Sequence, residues 1–192
     1  MRSIIFETLK ESIDVKRRSI EPNVNHIIET SERIAASLSS GHKILIFGNG
    51  GSAADAQHIA AEFVNRFQTE RSPLAAIALT TDSSVLTSIG NDYDFSYVFS
   101  KQIQALGKKD DVAWAISTSG NSKNVIEAVK VAREIGLLTI GMTGRGGRLA
   151  KSADLVLRVD SDVTARIQET HITLAHILCD LIERILFPEK FD

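Results

Sequence analysis

Apolar residues recur at helical spacing over the first 40 positions and indicate two amphipathic helices. The first apolar stripe lies within residues 4–13, and the segment Glu21-Pro22-Asn23 interrupts the pattern. A second stripe covers residues 24–38. The sequence therefore predicts a helical hairpin over residues 1–40.

From residue 41 onward, short apolar segments alternate with helical patterns. The apolar segments lack a clean alternation of polar and apolar residues, which is typical of strands covered on both faces. The predicted strands are Lys43–Phe47, Ala75–Leu79, Val112–Ile116, Leu138–Met142 and Leu155–Val159. The helices predicted between them are Ser52–Phe67, Tyr93–Leu106 and Ser122–Ile135. This pattern predicts an α/β fold with a doubly wound, five-stranded parallel sheet. We expect one domain over residues 1–192, with residues 41–192 as its α/β core.

The last predicted helix, Asp162–Phe187, is apolar around most of its circumference and leaves one narrow polar stripe. Thr173, His176, Asp180 and Glu183 form that stripe. A helix of this kind must be buried on several sides. In a chain of this size we expect another subunit to supply the extra cover, and we therefore predict a homo-oligomer.

The composition narrows the classes of function. The 192 residues carry 22 Lys+Arg and 24 Asp+Glu, a net charge of −2, which disfavours a nucleic-acid partner. No apolar run approaches the roughly 18 residues that a membrane span needs. The first residues carry acids and lack a long apolar core, so we expect no signal peptide. The lone Cys179 agrees with a reducing compartment, and we expect a cytoplasmic location.

The glycine-rich loop Gly48–Ser52 follows the first predicted strand. Gly48, Gly50 and Ala53 satisfy the G-x-G-x-x-G/A pattern of dinucleotide sites. That pattern also needs an acidic residue about 20 positions further on, whereas Asp82 lies 34 residues after Gly48. A nicotinamide or flavin site is therefore disfavoured, and a tight turn without a ligand stays an alternative.

A second loop, Ser117–Ser122, follows the third predicted strand and contains four hydroxyl side chains. Hydroxyls at a helix start suit a phosphate monoester. Ser122 or Asn121 could instead serve only as the helix N-cap. Four hydroxyls exceed what a cap needs, and we favour an anion site. No Walker lysine follows either loop, so a P-loop nucleotide site is disfavoured.

Two predicted helices carry candidate acid–base or metal-binding side chains. His58 and Glu62 lie four residues apart and share a helix face, whereas Gln168, Glu169, His171 and His176 lie on the last helix. Gln168 and His176 are about 12 Å apart along a straight helix. If both belong to one site, either the helix is distorted or the two residues come from different chains. His26 and His42 are interpreted as surface residues.

Four segments carry a resemblance to a known family: GNGGSAADAQHIAAEF at 48–63, ALTTDSSVLTSIGND at 78–92, AISTSGNS at 115–122 and ARIQETH at 165–171. The chain resembles the phosphoheptose isomerases of the sugar-isomerase (SIS) domain family. The resemblance implies conversion of D-sedoheptulose 7-phosphate to D-glycero-D-manno-heptose 7-phosphate, the first step towards ADP-heptose for lipopolysaccharide core. It also implies an enediol intermediate, a homotetramer, one zinc ion per subunit and a flavodoxin-like strand order.

The resemblance also assigns residues to roles. It implies that Ser117, Thr118, Ser119 and Ser122 bind the phosphate. The residues implied to line the sugar are Asn49, Gly50, Gly51, Ser52, Glu62, Asn91, Asp92 and Gln168, with Arg66 as a weaker candidate. The implied zinc ligands are His58, Glu62, Gln168 and His176. Glu62 and His176 are implied to be the acid–base pair as well, so the division of labour of Glu62 between ligand and base stays open.

Two alternatives are not catalytic. The replication-initiator-associating protein has the same fold and resembles this chain in NRFQTER (65–71), in LCDLIE (178–183) and at Leu186-Phe187-Pro188. That relative works as a binding module and lacks counterparts of Glu62 and His176, which this chain has. The third class is a sugar-phosphate-sensing regulator, which is disfavoured because no DNA-binding module is visible.

Overall fold

The computed structural model describes residues 1–191. The α-helices are α1 (Arg2–Ile20), α2 (Val24–Ser39), α3 (Gly51–Val64), α4 (Ser83–Asp92), α5 (Ser100–Leu106), α6 (Lys123–Ile135), α7 (Leu149–Ser152) and α8 (Thr164–Leu186). The strands are β1 (Ile44–Gly48), β2 (Ala76–Ala78), β3 (Val112–Ser117), β4 (Leu138–Thr143) and β5 (Leu155–Arg158). Short 3-10 turns cover Glu21–Asn23, Phe95–Tyr97 and Pro188–Lys190. The N-terminal hairpin and the five predicted strands are confirmed, with ends that shift by one or two residues.

The five strands form one parallel sheet with the order β2-β1-β3-β4-β5. The register pairs Ile46 of β1 with Trp114 of β3, and Trp114 with Ile140 of β4. This is the flavodoxin-like order, in which the chain reverses direction across the sheet between β1 and β3. The predicted fold class is confirmed, and the carboxyl ends of β1 and β3 are the expected place for a ligand.

Each face of the sheet is covered by its own apolar layer. On one face, α1, α2, α3 and α8 pack over side chains that include Ile46, Trp114 and Ile140. On the other face, α4 to α7 pack over Leu45 and Phe47. Every residue of β1 and β3 is buried. Their continuous apolar sequences follow from this two-sided cover.

The apolar circumference of α8 is covered mainly by its own chain. Helices α1, α2 and α3 all contact α8, and Leu174, Leu178 and Ile182 are at most 1% exposed. Burial of α8 on several sides is confirmed. The predicted second subunit, however, is not needed to cover most of α8. The N-terminal hairpin supplies that cover instead.

The amino-terminal half of α1 presents apolar side chains to solvent. Ile4, Ile5, Phe6, Leu9 and Ile13 are between 49 and 67% exposed. The chain thus keeps an uncovered apolar stripe, which lies on α1 rather than on α8.

The connection between β2 and β3 differs from the prediction. The sequence predicts one helix over Tyr93–Leu106, whereas the structure has α4 at Ser83–Asp92, a 3-10 turn and a short α5. Asp82 caps α4 by accepting a hydrogen bond from the Val85 amide at 2.9 Å. Helix α4 is therefore an additional helix that the sequence did not predict, and its cap satisfies an otherwise free amide at its start. Only the 3-10 turn and α5 lie within the predicted Tyr93–Leu106. Within residues 1–191, no helix is long and apolar enough to cross a membrane.

Candidate active site

The two candidate loops lie side by side at the carboxyl edge of the sheet. One connects β1 to α3 and the other connects β3 to α6, and β1 and β3 are adjacent strands. Ligands of open α/β sheets bind at this edge, where the strand order reverses. The structure therefore brings together the glycine loop and the hydroxyl loop at the expected position.

The hydroxyl side chain at the start of α6 does not cap that helix. Ser122 occupies the N-cap position of α6 but makes no side-chain capping hydrogen bond. Its Oγ lies 3.1 Å from Oγ of Ser117, and Ser119 Oγ lies 3.5 Å from the same Ser117 atom. Gly120 has a φ of +63°, and a Cβ there would lie 1.9 Å from the carbonyl oxygen of Gly146. Because Ser122 does not cap α6, the interpretation as a mere N-cap is disfavoured.

The glycine loop makes a close approach to α8. A Cβ on Gly51 would lie 2.3 Å from Nε2 of Gln168, so only glycine leaves room for that amide. Ser52 is buried at 3% exposure, and its amide donates to the carbonyl of Asn49 at 3.0 Å. Gly51 thus leaves the space that the Gln168 amide occupies, at the first turn of α3.

Asn49 and Asn124 connect the two loops. The Asn49 Nδ2 donates to Asn124 Oδ1 at 2.9 Å, and the Asn124 Nδ2 donates to Asn49 Oδ1 at 2.8 Å. Asn124 is 4% exposed and was not singled out in the sequence. The side chain of Asn49 is therefore engaged by the first turn of α6, directly after the hydroxyl loop.

A compact cluster of His58, Glu62 and His176 lies where α3 packs against α8. The Nε2 atoms of His58 and His176 are 2.9 Å apart, and Nε2 of His58 lies 3.1 Å from Oε1 of Glu62. One ligand atom from each residue lies within 4.8 Å of the other two. Two imidazoles and one carboxylate that converge in this way could hold a divalent metal ion.

The surroundings of the cluster set its electrostatics. Burial and the neighbouring His58 lower the pKa of His176, and the carboxylate of Glu62 opposes this. The imidazole is therefore neutral at neutral pH and available as a ligand or base. On the same helix, Asp55 has a buried Oδ2 without a hydrogen-bond partner, and burial raises the pKa of Asp55. Asp55 lies near enough to His58 for the imidazole to counteract this rise, but the converging ligand atoms are those of His58, Glu62 and His176.

Gln168 is separated from the cluster of His58, Glu62 and His176 along the axis of α8. Its amide packs against Gly51, whereas His176 lies eight residues further along α8. The helix is continuous over Thr164–Leu186, so the separation along its axis is about 12 Å. Of the four implied zinc ligands, the fold of one chain brings together three and leaves Gln168 beside the glycine loop.

The remaining candidates lie at the surface. Asn91 and Asp92 are exposed at the end of α4, where Asn91 Nδ2 donates to Asp92 Oδ1 at 2.9 Å. The segment just after them, residues 94–96, lines a cavity of about 330 Å³ together with Asn49, Ser122 and Lys123. Arg66 is exposed and lies 3.6 Å from Glu70. The structure thus places the 91–96 region beside the hydroxyl loop and leaves Arg66 in an ordinary surface pair.

The comparisons with known proteins agree with this fold and show the family. A family model described as SIS domain matches residues 9–144, so the class of protein is that of the SIS-domain proteins. Phosphoheptose isomerase of Thermodesulfovibrio yellowstonii is 55% identical over 184 residues, which cover 95% of this chain and 92% of that protein. The corresponding protein of Nitratidesulfovibrio vulgaris (strain Hildenborough) is 52% identical over 187 residues, 97% of this chain and 90% of that protein.

Solved structures give the same result. The structure of phosphoheptose isomerase from Neisseria gonorrhoeae superposes with a TM-score of 0.90 at 48% identity, covering 95% of this chain and 98% of that one. The chain belongs to the phosphoheptose isomerase family, and the enzyme class of that family is sugar-phosphate isomerase.

Proposed function

We propose that the chain interconverts D-sedoheptulose 7-phosphate and D-glycero-D-manno-heptose 7-phosphate through an enediol. The observation that carries this proposal is that Glu62, His58 and His176 converge in one carboxylate–imidazole cluster. The chain also has a loop of hydroxyl side chains at the carboxyl edge of the sheet. Aldose–ketose isomerisation needs a base for the carbon-bound proton and a second group for the oxygen-bound proton. The substrate and its place before ADP-heptose are what the resemblance implies, and the cytoplasmic location is the one that the lone Cys179 favours.

The residues divide the chemistry by their surroundings. Glu62 moves the proton between C1 and C2, because a carboxylate can accept and return a carbon-bound proton when it is held beside it. His176, which is kept neutral by its lowered pKa, exchanges the proton on the adjacent oxygen. Ser117, Thr118, Ser119 and Ser122 hold the phosphate through hydroxyls and the N-terminal amides of α6.

The donor set fits the zinc ion that the resemblance implies. His58, Glu62 and His176 offer two imidazoles and a carboxylate, which zinc takes in proteins. When bound there, zinc would polarise the substrate oxygens and stabilise negative charge.

Distances along α3 support a site that is shared between chains. Glu62 lies eleven residues after Gly51, about 16 Å along a helix, and Gly51 lies at the level of the hydroxyl loop. The seven bonds of about 1.5 Å from C2 to phosphorus in a heptose 7-phosphate form a zigzag chain that spans roughly 9 Å when extended. We therefore infer that the hydroxyl loop and Gln168 of one copy complete the cluster of a second copy.

The exposed stripe on α1 supports an oligomer, which we propose to be a homotetramer. Ile5 is 67% exposed and Phe6 is 59% exposed, and apolar patches of this kind are covered in assemblies. Light scattering after gel filtration should give four chains for the wild type and a smaller species for Ile5→Glu. A wild-type monomer with full activity would contradict both the tetramer and the shared site.

The proposed activity is tested with purified protein and D-sedoheptulose 7-phosphate, with and without added zinc, followed by NMR. Glu62→Gln and His176→Asn should each lower kcat by about 100-fold or more. Glu134→Gln, which removes an exposed carboxylate near Lys130, is the matched control and should leave kcat unchanged. Absence of turnover by the wild type in both conditions would favour a non-catalytic binding module.

Mixing inactive variants tests the shared site. Gln168→Ala and His176→Asn chains should regain part of the activity after subunit exchange, because a mixed assembly contains some sites with both residues intact. Glu62→Gln and His176→Asn should not complement each other, since both residues lie in the cluster of one chain. Complementation in the second pair but not in the first would reverse the assignment.

A further inference from the structure

Beside the C-terminal end of α3, next to the cluster, Arg71 and Glu183 form a buried ion pair. Both side chains are 1% exposed, and Nε of Arg71 donates to Oε1 of Glu183 at 2.9 Å. Arg71 also donates to the carbonyl of Glu62 at 2.8 Å and to that of Phe63 at 2.7 Å. These carbonyls belong to the last turn of α3, which has no intrahelical donors. The ion pair therefore fixes the backbone at Glu62.

The same carboxylate fixes the chain that follows α3. Glu183 accepts hydrogen bonds from the amides of Phe67 at 2.9 Å and Gln68 at 3.0 Å. These bonds, with those from Thr69 and Arg71, lower the pKa of Glu183 although its burial acts to raise it. Glu183 is thus ionised under working conditions and keeps Phe67 at a defined distance from α8.

The ring of Phe67 lies against the imidazole of His176. The two ring centroids are 5.3 Å apart with an interplanar angle of 31°. The His176 imidazole also faces the His58 ring, at 5.1 Å. The second torsion of a histidine side chain has broad energy wells, so neighbouring rings rather than the side chain itself determine its orientation. His176 has one such neighbour in the cluster, His58, and another outside it, Phe67.

We propose that Phe67 is a positioning residue that holds the His176 imidazole in the orientation in which its Nε2 meets His58 and Glu62. This inference rests on the proposed function, because it assigns a role to that orientation. Phe67 acts through His176, and the Arg71–Glu183 pair keeps its backbone in place.

A role as simple packing is the alternative, since Phe67 is also a partly buried member of the apolar layer around α8. Phe67→Leu separates the two, because leucine keeps an apolar side chain while it removes the flat ring. Phe191→Leu is the matched control: Phe191 is also partly buried, and its ring contacts Arg184 at 4.5 Å, away from the cluster. Phe67→Tyr keeps the ring and serves as the conservative variant.

The experiment measures the dissociation constant for zinc by chelator competition on each folded variant without substrate, and kcat and KM with D-sedoheptulose 7-phosphate. Residues that orient a metal-binding side chain typically change metal affinity or activity by 10- to 100-fold when replaced. Phe67→Leu should weaken zinc binding by about tenfold or more and lower kcat, with KM nearly unchanged because the phosphate loop is intact. Phe67→Tyr should keep the wild-type zinc affinity and kcat, and Phe191→Leu should leave both unchanged.

The outcomes separate the two proposals. Wild-type zinc affinity and kcat in Phe67→Leu, at a melting temperature similar to that of Phe191→Leu, would overturn the positioning role and leave the proposed function intact. Equal losses in Phe67→Leu and Phe191→Leu would show general destabilisation and also overturn it. A wild-type protein that neither binds zinc nor turns over substrate would overturn the proposed function and, with it, this inference.

Discussion

Asn49 and Asn124 exchange two hydrogen bonds, of 2.9 and 2.8 Å, across the gap between the β1–α3 loop and the β3–α6 loop. Each amide gives one donor and one acceptor to the other, so the two loops are held at a fixed separation. The Asn124 Oδ1 additionally accepts from the Val125 amide at 3.0 Å. This pair therefore sets the distance between the glycine loop and the hydroxyls that we propose to bind phosphate.

Replacing Asn124 should loosen both loops. Asn124→Ala removes both inter-loop hydrogen bonds and leaves the Asn49 amide partly unpaired, which should cost about 1–2 kcal/mol of unfolding free energy. The KM for the sugar phosphate should rise about tenfold or more, because small displacements of binding groups are costly. Asn124→Asp, which keeps the acceptor but not the donor, should show a smaller effect. An unchanged KM in Asn124→Ala would show that the loops keep their separation without the pair.

Ser122 and Asp82 provide a matched comparison of two N-cap positions. Asp82 caps α4 with its side chain, whereas Ser122 does not cap α6. Asp82→Ala should therefore lower the unfolding free energy by about 1 kcal/mol with no change in KM. Ser122→Ala should leave stability nearly unchanged and raise KM, since its hydroxyl makes no capping bond and is proposed to bind the phosphate. Urea unfolding and steady-state kinetics of both variants check the prediction, which fails if Ser122→Ala loses stability like a normal cap.

Gly51→Ala tests Gln168 without replacing it. The new Cβ would lie 2.3 Å from Nε2 of Gln168 and displace only the end of a flexible side chain. We expect a small change in melting temperature and a loss of activity similar to that of Gln168→Ala. In a double-mutant cycle, Gly51→Ala should cost little more once Gln168 is already alanine. Additive losses would show that Gly51 acts independently of Gln168.

His171 should make stability depend on pH. It is 1% exposed, and burial lowers its pKa from 6.5 to about 4, although the hydrogen bond to the Thr143 carbonyl acts in the opposite direction. Because a carbonyl only accepts, Nε2 carries the proton of that bond. Between pH 6.5 and about 4 the unfolded chain binds a proton that folded His171 does not, so stability falls as pH falls through this window.

The expected loss is about 3 kcal/mol across that range. Urea unfolding at a series of pH values measures it. His171→Leu should flatten the dependence, although it also removes the Thr143 hydrogen bond and lowers stability at pH 7. His26→Gln, at an exposed histidine, is the control and should keep the wild-type slope. A slope unchanged in His171→Leu would assign the acid sensitivity to other groups.

The sheet could be predicted from the sequence because buried parallel strands are continuous apolar runs, as β1 and β3 are. Helix α4 was missed because serines, threonine and glycine weaken its helical pattern. Asp82 before Val85, Leu86 and Ile89 was the available start signal. The sequence also suggested that a second chain covers α8. An apolar helix must be covered, but its sequence does not show which neighbour covers it.

The candidate site was predictable where chemistry and spacing coincide. His58 and Glu62 share one face of α3, and the structure brings His176 to them from α8, 118 residues from His58. The pairings with no local signature, such as Asn49 with Asn124, could not be predicted because they join distant segments. Arg71 and Glu183, 112 residues apart, belong to the same class.

The segments that resemble the replication-initiator-associating protein meet in one place. Residues 65–71 contribute Arg71, residues 178–183 contribute Glu183, and Phe187 lies beside them, its ring centroid 6.0 Å from the Arg71 guanidinium carbon. In this chain all three segments therefore serve one buried ion pair and the packing around it, and a likeness limited to them is a likeness in packing residues. It does not by itself favour a binding module over an enzyme.

We expect the uncovered stripe on α1 to make the activity of the protein depend on its concentration. If the stripe holds copies together and each site contains residues of two copies, dilution below the dissociation constant of the assembly separates the two halves of each site. Every chain stays folded. Specific activity should then fall on dilution and recover on concentration, by mass action. Helix α1, which contributes no candidate residue to the cluster, would control how many working sites a cell has at a given level of expression.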